Sequence, residues 1–127
     1  MSLLQISVIA FLVTLPLNLD VLAMEYSGTG TAWNSAAGPS ITASCKGRGP
    51  FHASASDEVW NMGLSCGDYV RVECVGDGCK SSPQFVLASI VDRCTPNCNG
   101  ATFILPQSGF NEIAEPNYAW VYIKYKA

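Results

Sequence analysis

Charge is scarce in this chain. Only 13% of its 127 residues are Asp, Glu, Lys or Arg, and 7 basic against 10 acidic residues leave a formal net charge of -3. No polybasic stretch is available to follow a phosphate backbone, which excludes nucleic acid as the partner. Histidine occurs once, as His52, and no GxSxG elbow accompanies it, so a serine hydrolase triad has little to build on. No Lys or Arg precedes Lys46, so an N-terminal leader would lack a basic n-region, and there is no Asn-x-Ser/Thr sequon, so N-glycans are not expected. The chain is also too short for a two-halved nucleotide-binding fold or an eightfold βα barrel, and one small domain is expected.

Apolar residues are plentiful, at 49%, and a disordered chain is excluded on that ground. Part of this share lies in residues 1–23, MSLLQISVIAFLVTLPLNLDVLA, where an apolar run from Ile6 to Leu17 is followed by Val21-Leu22-Ala23. Small side chains at the last and third-last positions suit signal peptidase, and a membrane span of about 20 apolar residues is cut short by Pro16, Asn18 and Asp20. The expectation is a signal peptide over 1–23, cleaved after Ala23, and a secreted domain over 24–127 with no stable membrane insertion. All six cysteines, Cys45, Cys66, Cys74, Cys79, Cys94 and Cys98, fall in that domain. An even count in a short secreted chain points to disulfides rather than metal ligands, so neither a metal nor a cofactor is expected. Each bridge is worth roughly 2–4 kcal/mol, a large share for a domain with a small core.

Strand signals dominate. Tyr69 to Val75 alternates Val70, Val72 and Cys74 with Arg71 and Glu73, the period of a strand with one wet face. Phe85 to Val91 is a nearly continuous apolar run, suited to a strand covered on both faces, and Trp120 to Tyr125 is β-branched and aromatic. Two short helices are expected. One follows Ser56 as N-cap and stops near Gly63; the other runs from Pro106 to Ala114 with Phe110, Ile113 and Ala114 on one face. About six short strands with one or two short helices imply an all-β fold, a small closed or nearly closed barrel stapled by disulfides.

No pair of carboxylates stands out for glycoside hydrolysis. His52, in an apolar stretch of small residues, reads as a packed or surface side chain. Asp92 ends the apolar strand where the chain leaves the barrel; it is either a turn acceptor paired locally or with Arg93, or a functional carboxylate. Tyr26, Trp33, Tyr118, Trp120, Tyr122 and Tyr125 could form a strip on which sugars stack, although aromatics at strand spacing more commonly serve as core and cross-strand pairs.

The blocks GTGTAW, FHASASDEVWNMGLSCG, YVRVEC, VDRCTPNCNG and SGFNEIA, in that order and with all six cysteines, resemble the secreted plant natriuretic peptide-like proteins, a group related to the first domain of expansins and to barwin. The resemblance covers Gly28 to Ala127 and implies a six-stranded double-psi β-barrel. It also implies the pairing that short spans favour: Cys74 with Cys79 around Val75-Gly76-Asp77-Gly78, Cys94 with Cys98 around Thr95-Pro96-Asn97, and Cys45 with Cys66 for the rest. Expansins and lytic relatives carry an Asp in an L-D-L-S motif, where this chain has Phe103-Ile104-Leu105-Pro106. Ile104 can neither donate nor accept a proton. The resemblance therefore implies a protein that is not an enzyme, has no carbohydrate-binding second domain, and acts as a monomer in the apoplast on water and solute homeostasis through a cell-surface receptor. The alternative is a non-catalytic binder of wall polysaccharide or a barwin-like defence protein, using Asp92 with Trp33 or Tyr26 as a stacking wall.

Overall fold

The computed structural model of the chain describes residues 24–32, 45–82, 84–95 and 97–127. The leader expected over 1–23 and Trp33 lie outside the described residues. The strands are β1 (Tyr26–Ala32), β2 (His52–Ser56), β3 (Tyr69–Val75), β4 (Phe85–Cys94), β5 (Phe103–Leu105) and β6 (Trp120–Lys126), with helices α1 (Asp57–Asn61) after β2 and α2 (Gln107–Ile113) after β5. They close into a barrel in the order β1-β5-β2-β4-β3-β6. The β1–β5 and β2–β4 pairs are parallel and the other four are antiparallel. This is the mixed, crossed-over double-psi barrel that the sequence led us to expect.

Period-two alternation builds the interior. Val70, Val72 and Cys74 of β3 face Val121, Ile123 and Tyr125 of β6, and all are buried. Phe103 and Leu105 of β5 and the small Ala53 and Ala55 of β2 complete the ring. Tyr125, fully buried, is edge-on to Phe103 at 5.0 Å between centroids. One end is closed by α2, through Phe110 and Ile113. Cys45–Cys66, Cys74–Cys79 and Cys94–Cys98 are bonded as expected, and Gly76 and Gly78, with φ of 84° and 86°, supply the reversal inside the second.

Two expectations need correction. β4 runs past Val91 to Cys94, and only its middle is covered on both faces: Phe85, Leu87 and Arg93 are exposed, whereas Ala88, Ser89, Ile90 and Val91 are buried. The reason is local, since Arg48 lies over the outer side of Ser89 and exchanges two hydrogen bonds of 2.9 Å between its own backbone and the Ser89 hydroxyl. Ser56 does occupy the N-cap position of α1, but its hydroxyl makes no capping bond. That hydroxyl is buried and has no hydrogen-bond partner, although the backbone of Ser56, paired with Cys94, has the extended conformation that an N-cap residue normally adopts.

Candidate functional site

A β-bulge sets the geometry of the site. In the β2–β4 pair, Ala53 lies opposite Ile90 and Ser54 opposite Asp92, so Val91 is an extra residue with nothing across from it. Regular alternation would send Asp92 inward behind Val86, Ala88 and Ile90. The extra residue turns it to the outer face instead, a use of bulges common near functional surfaces. From there a row of neighbours crosses five strands: Asp92 on β4, Ser54 on β2, Ile104 on β5, Thr31 on β1 and Trp120 on β6.

The far part of this row opens into a trough of about 520 Å³. Its floor is Thr29, Thr31 and Ile104, and one side is Ala119, Trp120 and Tyr122. Trp120 and Tyr122 are 48% and 57% exposed, with ring centroids 4.9 Å apart and planes at 89°. The other side is Asn99, Gly100 and Ala101. Asn99 and Gly100 both have positive φ, 56° and 91°, and the Ala101 N–H donates to the Cys98 carbonyl at 3.1 Å, which makes 98–101 a tight turn of the I′ kind. The Cys94–Cys98 bridge closes the loop leading into it, and Asn97 Oδ1 accepts from the Gly100 N–H at 2.8 Å. Beneath the floor, Thr102 Oγ1 accepts from the Thr29 N–H at 3.0 Å. A Cβ on Gly28 would stand 2.3 Å from that hydroxyl, so only glycine allows this approach.

Among the described residues the trough lining carries no Asp, Glu, His, Lys or Arg. It offers hydroxyls, an amide and aromatic faces, a set suited to hydrogen bonding and stacking with an uncharged, hydroxyl-rich molecule and unsuited to proton transfer. Asp92 stands at the other end of the row, half-buried, and does not line the trough. Its expected pairing with Arg93 is not made: Arg93 Nε donates to Asp57 Oδ1 at 2.6 Å, joined by Thr95 Oγ1 at 3.1 Å. The Arg93 hydrogen bond is the chief reason that the Asp57 carboxyl lies below its ordinary range. His52 is exposed, with its ring against Gly47 and Nε2 3.1 Å from the Gly49 carbonyl, a loop clip rather than a base.

The aromatic strip divides in two. Tyr26 and Tyr125 turn inward, with centroids 5.6 Å apart, and Tyr26 sits at the end of β1 away from the trough, so it is not among the described lining residues. Trp120 and Tyr122 turn outward into the trough. Tyr118 lies over the turn at Gly78. The side formed by 98–101 was not expected to line a site, although the sequence carries its signal: Asn-Gly is the strongest short turn dipeptide, and here it sits inside VDRCTPNCNG.

Scanned against protein-family models the chain matches none, and no curated protein matches it. Among solved structures, its barrel is of the expansin type. The apo form of the expansin from Clavibacter michiganensis and a point mutant of that expansin in complex with cellohexaose each superpose with a TM-score of 0.54 at 16% identity, covering 80% of this chain and 49% of theirs. The chain thus spans about half the length of the expansins whose fold it shares.

Proposed function

We propose that this chain is an extracellular, non-enzymatic domain that holds a neutral cell-wall polysaccharide in the trough between the 98–101 turn and the Trp120–Tyr122 pair. The observation that carries the reading is the lining itself, aromatic faces beside hydroxyl and amide groups with no charged side chain among the described residues. A charged ligand would find no counter-charge there, and a hydrolytic mechanism would find no acid or base. Ile104 in the floor, at the place where the related motif has Asp, supports binding without cleavage. The disulfides suit an oxidising compartment, and an expansin of the same fold has been crystallised with cellohexaose. Asp92 remains a candidate for the end of a chain lying along the strand row, and Trp33, which follows Ala32 of the lining in sequence, a candidate for a further stacking surface.

A second reading, a regulator of water and solute balance acting through a cell-surface receptor, draws on a different observation. Tyr69, Phe85 and Leu87 are exposed together on the outer face of β3 and β4, across the barrel from the trough. Native electrophoresis through gels containing soluble mixed-linkage β-glucan tests the first reading. The protein is expected to be retarded, Trp120→Ala to lose most of the retardation, and the glucan to keep its length. Unretarded migration, or shortened glucan, contradicts it.

A further inference from the structure

The two rings beside the trough do not form a platform. Their planes stand at 89° with centroids 4.9 Å apart, and the third exposed ring nearby, Tyr118, is held over Gly78, where a Cβ would stand 2.6 Å from it. A sugar ring stacks by laying its C–H face flat on an aromatic face. In a β-1,4-linked glucan the two linkages leave each ring at opposite ends, so the chain is a flat ribbon and neighbouring sugars share a plane. Such a ribbon can lie on Trp120 or on Tyr122, but not on both. A β-1,3 linkage leaves the ring at an angle, the chain turns from one sugar to the next, and consecutive rings can face the two sides of a corner.

Resting on the reading of the trough as a glycan site, we infer that it selects a single β-1,3-linked glucan strand, bent at the Trp120–Tyr122 corner, over the flat ribbon of cellulose. The rest of the trough fits a lone strand. The 98–101 turn rises opposite the rings, so the surface is concave, and a flat crystal face could not reach Ile104 or Thr31 in the floor. The Thr31 hydroxyl is oriented, since it donates to the Ala119 carbonyl at 2.7 Å, and presents its lone pairs to a sugar hydroxyl.

Calorimetric titration of the protein with laminarihexaose and with cellohexaose decides the matter. Laminarihexaose is expected to bind roughly tenfold more tightly, the order of one additional ring contact. Tyr122→Ala, an outer-face change checked by its thermal melt, removes one wall of the corner and is expected to bring the affinities of the two sugars for the variant within about twofold of each other, erasing the preference. Equal or tighter binding of cellohexaose, or a preference that survives Tyr122→Ala, overturns the selectivity and leaves the glycan site standing. No binding of either sugar overturns both.

Discussion

Tyr125 is the largest fully buried side chain among the described residues, and its phenol reports on the interior around it. Burial first, and then the Glu58 carboxylate and Tyr26, push its pKa from 10.0 up to about 12. The folded chain therefore keeps this proton to higher pH than the unfolded chain. Its contribution to stability is complete below pH 10.0 and declines as the pH rises from there through about 12. Urea midpoints measured across that window are expected to fall more steeply for the native protein than for Tyr125→Phe, and parallel curves would contradict this placement. Composition made Tyr125 legible as part of a β-branched, aromatic strand, and as core only through the general rule that aromatics at strand spacing pack inward. Neither made Tyr26 legible, because an aromatic at a strand start carries no mark of which way it turns. Asp92 was legible only as an acid at the end of an apolar run; its outward aim depends on the bulge at Val91, and a bulge changes register without changing residue type.

At the scale of elements, α1 shows where local propensity and pairing diverge. Ser56 is the residue that a helix start calls for, and replacing an N-cap Ser by Ala ordinarily costs about 1 kcal/mol. Here the hydroxyl caps nothing and is buried without a partner. Ser56→Ala is therefore expected to change stability by less than about 0.5 kcal/mol, or to raise it, since a buried unsatisfied group is removed. Chemical denaturation reads this directly, and a loss near the usual value would show that the cap forms in solution. The 98–101 turn is the opposite case, an element with a clear local signature whose importance comes from its tertiary position. Its Asn-Gly pair and the Cys94–Cys98 closure fix its shape, but only the barrel brings it across from β6. Helix α2 and strands β3 and β6 were legible because their apolar spacing coincides with what the barrel buries. β4 was legible in half its length, because Leu87 and Phe85 look like core residues in sequence and are left outside by the closed sheet.

For the molecule as a whole, the barrel order puts two different surfaces on opposite sides. One is the uncharged trough on β5, β1 and β6; the other is the apolar face of β3 and β4, where Arg71 lies 4.1 Å from the centre of the Phe85 ring and pairs with Glu73. Each of the two functional readings needs only one of these faces, so locating the bound ligand separates them. The most direct measurement is amide chemical-shift mapping of isotope-labelled protein titrated with a soluble mixed-linkage β-glucan oligosaccharide, with the length of the sugar checked at the end. Binding in the trough predicts shifts at Thr31, Asn99, Gly100, Ile104, Trp120 and Tyr122 and an oligosaccharide of unchanged length. Shifts confined to Tyr69, Phe85 and Leu87, no shifts at all, or shortened sugar would contradict it.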